Sequence, residues 1–415
     1  LSNKDSPKGS LDFPKTFMFG SSTSAFQIEG AGNTEWKGFI GADGTRLDKA
    51  IDHYRKFKQD LKYILYLGNA YRFSMDWSKL QKSAYSPLDH KAVSHYMEIF
   101  KTLRQNDKKI MLVINHFSNP LWLAKKGGWT NRKSVEIYFD YLKKILKAYS
   151  YYIDYINTFN EPNGYAIMAY IMKEFPPRRF NPFLRRRVLS NMKRAHSMAY
   201  DYIKEHYPHI KVGISHACMY TQPLREKNIW QKFLKWFLGY YMFEHVHEMF
   251  TQDGKVDYIG FSYYGRILIS GFPVTAYEEK GRKVLDKLGL EHDDMWENYP
   301  AGIYYLIKRF YKKHKKPIII TENGICTNDD RIRIENIYNH LYYIKKALDE
   351  GIDVAGYFHW STFDNYELSY GPSRRFGLVS VDFDSPDLKR EIKESGEYYH
   401  RILNLHKLVK YKAPK

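Results

Sequence analysis

Short runs of apolar, β-branched or aromatic residues recur along the chain at residues 17–21, 70–74, 110–115, 155–160, 211–215, 258–263, 317–321 and 354–360. Between most of them lie longer stretches, such as 52–67 and 334–349, in which apolar residues return every three or four positions, the period of an amphipathic helix. Strands alternating with helices predict βαβ units around a parallel sheet, and eight such runs predict a closed (β/α)8 TIM barrel of the α/β class. No Pro/Gly/Ser-rich linker or low-complexity block interrupts the pattern. The expected organisation is a poorly ordered N-terminal extension at residues 1–14 and one barrel domain at residues 15–415. The segment 228–250, rich in Trp, Phe, Leu and Tyr, supports two readings. The first is a barrel helix with a wide buried face; the second is a surface helix that offers aromatic and basic residues to lipid or a hydrophobic ligand.

Composition narrows the class. The 415 residues hold 65 Lys and Arg against 46 Asp and Glu, a formal charge of +19, together with 17% aromatic residues. So high an aromatic content excludes intrinsic disorder for most of the length. The charge suggests a phosphate-rich partner, yet the densest basic runs, Arg185-Arg186-Arg187 and Lys312-Lys313-His314-Lys315-Lys316, belong to no nucleic-acid module. No nucleic-acid partner is expected, and the charge reads as a solvated surface that leaves peripheral membrane or glycolipid contact open. Two cysteines, Cys218 and Cys326, cannot build a disulfide framework and suit no zinc motif. With no signal-peptide-like stretch at residues 1–14 and no run of about 18 apolar residues, the expected location is the cytoplasm, with membrane association at most at the surface.

In a barrel of this type the chemistry sits at the C-terminal ends of the strands, so polar residues that close apolar runs are the ones to weigh. The third run closes in Asn115-His116, the fourth in Asn160-Glu161-Pro162, the seventh in Thr321-Glu322-Asn323-Gly324 and the eighth in His359-Trp360. Glu161 and Glu322 therefore point into one mouth. A lone Glu at a strand end is most often a salt-bridge partner. Two across a barrel mouth form the pair that glycosidic-bond cleavage uses, one as proton donor and one as nucleophile.

Thr158-Phe159-Asn160-Glu161-Pro162 and Ile320-Thr321-Glu322-Asn323-Gly324 resemble the two signatures of glycoside hydrolase family 1, the retaining β-glucosidases and β-galactosidases. The resemblance runs nearly end to end. It takes in Phe19-Gly20 through Gln27-Ile28-Glu29-Gly30, Tyr71-Arg72-Phe73-Ser74, Asn115-His116, Phe261-Ser262-Tyr263-Tyr264, Trp296-Glu297-Asn298-Tyr299-Pro300 and Asp364-Asn365-Tyr366-Glu367. It implies that Glu161 is the acid/base and Glu322 the nucleophile, the latter supported by Arg72 and Tyr264. It further implies that Gln27, His116, Asn160 and Glu367 bind sugar hydroxyls, that Trp360 floors the sugar site, and that Trp296 walls the aglycone site. No cofactor and no metal are expected, since no phosphate loop or metal-ligand spacing is present.

Three positions depart from the family pattern: Leu368 and Phe117 stand where most members carry Trp, and Ser262 where they carry Asn. Leu368 removes an indole donor, a hydrogen bond of about 1 kcal/mol, from the sugar site. The stretch after Trp360 also lacks the Ser and Lys-x-Tyr pattern of the phospho-sugar branch. Short rim loops after Gly30 and Tyr264, with Phe175-Pro176-Pro177 and Asn181-Pro182-Phe183, are similar to a compact archaeal-type branch that accepts apolar aglycones. The expected function is a retaining, exo-acting hydrolase of small β-D-glucosides or β-D-galactosides with a preference for alkyl or other apolar aglycones. The alternatives are a transglycosylase using the same glycosyl-enzyme, or a non-catalytic glycan- or lipid-binding homologue, against which the retention of both glutamates counts.

Overall fold

The computed structural model describes residues 11–270 and 278–411. Eight parallel strands close into a barrel in chain order: β1 (Met18–Ser22), β2 (Ala70–Ser74), β3 (Lys109–Asn115), β4 (Tyr155–Asn160), β5 (Lys211–Pro223), β6 (Ile259–Ile269), β7 (Ile318–Asn323) and β8 (Val354–Trp360). A two-stranded antiparallel sheet, β9 (Val379–Val381) with β10 (Arg390–Ile392), follows. The helices that matter below are α1 (His53–Tyr66), α2 (His90–Gln105), α3 (Lys133–Tyr149), α4 (Pro162–Ile167), α5 (Pro182–His206), α6 (Ile229–Gly239), α7 (His245–Thr251), α8 (Ala301–His314), α9 (Asp330–Asp349) and α10 (Glu394–Leu405). Their starts follow the sequence: Asp89, Asn181, Asn228 and Asp329 each cap a helix by accepting from a first-turn backbone N–H.

Each predicted strand is present, but β5 and β6 run far past their expected ends. Beyond the barrel mouth they stay paired from Tyr220↔Arg266 to Pro223↔Ile269, a raised ribbon on one side of the rim. Inside the barrel, below the mouth, Met18, Ala70, Met111, Tyr258, Ile319 and Phe358 form a closed apolar layer. Glycine makes room for the two rings: a Cβ at Gly20 would lie 2.3 Å from the Phe358 ring, and one at Gly213 2.6 Å from that of Tyr258. This plug keeps the strands apart at their N-terminal ends and leaves the C-terminal ends open for polar groups.

Residues 1–10 of the expected N-terminal extension lie outside the described residues, whereas residues 11–14 are tied down. Phe13 is buried against Phe17 and Phe19, its N–H bonds to His406 O at 2.7 Å, and Leu408 N–H bonds to Leu11 O.

The C-terminal sheet is pinned to α1 by a wholly buried pair. Arg390 Nε donates to Asp60 Oδ1 at 2.8 Å, and Asp60 Oδ2 also contacts His53 Nδ1 at 2.8 Å. Removing the cation leaves a buried carboxylate without its partner, so Arg390→Met should cost about 3 to 5 kcal/mol in denaturant unfolding. Arg46→Met, whose pair with Asp48 is largely exposed, should cost under about 1 kcal/mol. Equal effects of the two substitutions would refute this ranking.

Candidate active site

β4 and β7 each break register just before their glutamate: the β4–β5 pairing shifts between Asn157 and Asn160, and the β7–β8 pairing between Ile320 and Asn323. Such irregularities re-aim a side chain that strict alternation would send elsewhere. After β4 the chain turns sharply. Glu161 has φ +40, in the left-handed region that costs a non-glycine residue about 1–3 kcal/mol, and Pro162 opens α4. The turn is held by Glu161 N–H on Ser215 O at 2.7 Å and by the Asn163 amide, which bonds to both Ala217 N–H and Ala217 O.

Both glutamates line a cavity of about 350 Å³ at the mouth, together with Gln27, His116, Tyr264, Trp296, Trp360 and Glu367. Arg72 and Asn160 sit just beneath it. Arg72 is fully buried and spends its donors in several directions: Nη1 on Glu322 Oε1 at 2.7 Å and Ser22 Oγ at 2.9 Å, and Nη2 on Asn160 Oδ1 at 2.5 Å. The Tyr264 hydroxyl donates to the other Glu322 oxygen at 2.9 Å. Burial and the Glu322 charge raise the Tyr264 phenol well above its usual range, so it remains a donor.

Glu161 differs in kind. Burial first, and the Glu322 charge second, push its carboxyl up to about 8, against a hydrogen bond from Ser262 and the pull of Arg72. The Glu161 side chain lines the cavity and is partly accessible from it. One carboxyl that holds a proton near neutrality beside a second that accepts two donors is the division of labour acid–base cleavage requires. His116 Nε2 lies 3.7 Å from Glu322 Oε1, yet burial and the Arg72 charge hold its imidazole well below the usual range, so this contact joins a neutral ring to the carboxylate.

The remaining polar groups face one another across the floor. Trp360 Nε1 donates to Glu367 Oε2 at 3.2 Å, and Gln27 Nε2 donates to Tyr366 O at 3.2 Å and Asn365 Oδ1 at 3.3 Å. Burial lifts Glu367 to about 8. Gln27 Oε1, His116 Nδ1 and Asn160 Nδ2 are buried with no partner in the protein. Buried polar atoms are rarely left unpaired, and this group lies in and just beneath the cavity floor. Leu368 and Phe117 line the same cavity, with φ of +44 and +57, and Ser262 reaches both Glu161 and Ser215. Sequence reasoning missed Ser22, although it closes β1 in the same way that the chosen residues close their strands. Both cysteines are free and buried, and burial raises the Cys218 thiol that touches the cavity.

Above the carboxylates the walls turn apolar. Met168 and Met172 follow α4, Met219 and Ile267 come from the β5–β6 ribbon, and Leu238 and Met242 come from α6 and the turn after it. Five of the chain's 12 methionines line this funnel, which makes its walls adaptable.

The sequence model described as Glycosyl hydrolase family 1 matches residues 10–246 and 241–408. The chain belongs to glycosyl hydrolase family 1. It is a glycoside hydrolase of the β-glycosidase group. Beta-glucosidase A of Thermotoga maritima is 29% identical, over 94% of this chain and 97% of that protein. The solved structure of a beta-glycosidase from Pyrococcus horikoshii superposes with a TM-score of 0.86 at 30% identity, covering 97% of each chain. A chloroplastic galactolipid galactosyltransferase of Arabidopsis thaliana, SFR2, is 30% identical over 82% of this chain and 56% of its own length.

The raised carboxyls contribute to the pH dependence of stability in this family 1 chain. Glu367 keeps its proton in the folded state up to about 8 but loses it near 4.5 when unfolded, so the fold binds more protons within that window. Its stabilising contribution is complete below about 4.5 and is lost as pH rises through about 8. Relative to Glu367→Gln, the melting temperature of the wild type should therefore fall across this window; a constant difference between the two profiles would refute the assignment.

Proposed function

We propose that this family 1 enzyme is a retaining, exo-acting β-glycosidase that hydrolyses β-D-glucosides or β-D-galactosides bearing apolar aglycones. The observation that carries the reading is the asymmetry between the two carboxyls: Glu161 is raised towards neutrality while Glu322 is bonded on one oxygen by Arg72 and on the other by Tyr264. Glu322 attacks the anomeric carbon as Glu161 gives its proton to the departing glycosidic oxygen, which leaves as an alcohol. A glycosyl ester on Glu322 results. Glu161, now a base, takes a proton from water as the water oxygen attacks the same carbon and the ester bond breaks. The unpartnered atoms of Gln27, His116 and Asn160, with Glu367, supply hydrogen bonds to sugar hydroxyls, and Trp360 supplies an apolar plate for the C–H face. The floor is closed by these groups, which supports attack at a chain end.

The apolar funnel supports the aglycone preference, with Trp296 in its wall. A surface of methionine, leucine and isoleucine gains little from a second sugar but gains with each methylene it covers. The same walls favour a second outcome of the chemistry, transfer of the glycosyl group to an alcohol held in the funnel, and the galactosyltransferase among the relatives lends this weight.

Glu322→Ala should reduce nitrophenyl β-glucoside hydrolysis to background, and Glu161→Ala should lower it by about 10² to 10⁴-fold. A fluoro-sugar inactivator should label Glu322; hydrolysis by all three proteins at one rate would end the assignment. In the wild type kcat/KM should fall as pH rises through about 8 and Glu161 loses its proton, and Glu161→Gln should lack that limb. For alkyl β-glucosides KM should drop by up to about fourfold per methylene until the funnel is filled, since each buried methylene is worth about 0.8 kcal/mol. Cellobiose cleaved as efficiently as octyl β-glucoside would overturn the aglycone preference.

A further inference from the structure

The helix α6 does not bury its aromatic residues. Of the two readings of the segment 228–250, the buried face holds for its end, where α7 buries Val246 and Phe250, and the surface helix for α6, where Gln231, Leu234 and Gly239 are the buried positions and Leu234 packs on Ile267 and Ile269 of the raised ribbon. Outward, Ile229, Trp230, Phe233, Trp236, Phe237, Tyr240 and Tyr241 are all exposed, Trp230 and Trp236 by more than 60%. Their rings form a continuous ladder, Trp230 to Phe233 at 5.5 Å, Phe233 to Phe237 and Phe237 to Tyr241 at 6.3 Å each. The start of α5 lies beside this face: the buried Arg185 guanidinium sits 4.5 Å over the Tyr241 ring, and Phe183, in the same turn, is 86% exposed.

A contiguous aromatic surface of this extent is uncommon on a protein that meets only water. Its flanks identify what covers it. Residues 225–243 carry four Lys and Arg against one Glu, and residues 173–187 carry six against one. Trp and Tyr prefer the boundary between acyl chains and headgroups, and basic residues beside them prefer anionic headgroups. A second copy of this chain would set the same cations against themselves across a twofold interface. Among the described residues no helix is long and apolar enough to cross a membrane, so the contact would be peripheral.

We propose that the outer face of α6, with the exposed start of α5, is a docking surface for an anionic lipid bilayer. The helix has two functional sides: its outer side meets the bilayer, while Leu238 at its end, with Met242 and Phe243 just beyond, lines the funnel to the carboxylates. A docked enzyme would receive amphiphilic glycosides at the membrane surface, their apolar tails passing from acyl chains to the funnel wall. Only this delivery role rests on the function proposed above; the docking itself does not.

The test is co-sedimentation with vesicles of phosphatidylcholine alone and of equal parts phosphatidylcholine and phosphatidylglycerol. The wild type should sediment with the anionic vesicles, less so as salt rises, and Glu322→Ala should bind equally well, so that a failure of the glycosidase reading would leave the docking result standing. Replacing Trp230, Phe233, Trp236 and Phe237 together by Ser should reduce binding by at least about tenfold, while hydrolysis of a water-soluble nitrophenyl glucoside stays within about twofold. Arg186→Gln with Arg187→Gln, which spares the aromatic ladder, should weaken binding to the anionic vesicles only. Absence of wild-type binding, or equal binding by the four-residue variant, would overturn the proposal. So would a wild-type dimer that this variant dissolves, with neither protein binding vesicles.

Discussion

The buried guanidinium of Arg72 sets the terms for the whole barrel mouth. A cation inside a low-dielectric barrel must be paired and its donors accepted, and the acceptors come from three other strands: Ser22 on β1, Asn160 on β4 and Glu322 on β7. Asn157, one layer down, lies between the same guanidinium and Tyr258 of the apolar plug. Closing the barrel thus brings a carboxylate to a fixed point and holds it there. The Glu322 charge is in turn one of the two causes that raise Glu161, so the two carboxyls are coupled and one of them is held by the ion pair. Arg72 opposes that shift, and burial outweighs it.

The mouth divides into two chemistries by height. At the bottom lie buried polar atoms without protein partners, which suits a ligand rich in hydroxyls and punishes one that leaves them unpaired. Higher up, directional groups give way to methionine and aliphatic side chains that reward buried area. The change coincides with the extension of β5 and β6 past the barrel. Two strands that leave the barrel while still paired need cover on both faces, and α6 supplies it on one through Leu234. The wall of the funnel and the seat of the aromatic helix are therefore one construction.

This construction also gives the basic charge a place. The +19 balance is spread over the chain, but the segments beside the exposed rings are far more one-sided than the whole. Spread evenly, such charge keeps a protein soluble; gathered round an apolar face, it selects a surface of opposite sign.

The order of residues was enough for the barrel and, Ser22 apart, for the polar groups at its mouth. Eight apolar runs separated by helical periods leave few closed arrangements, and strand-end polar residues must point towards the open end, so Asn160, Glu161, Glu322 and Trp360 were legible where they stand. Tertiary structure alone decided three things. The register breaks in β4 and β7 that aim the glutamates depend on neighbouring strands, which no local pattern encodes. The raised carboxyls of Glu161 and Glu367 depend on burial and on charges distant in sequence. The side of α6 that meets water was likewise open, because a helix apolar over most of its circumference has a period but no single wet face, and only its packing on Ile267 and Ile269 turns the aromatic ladder outward.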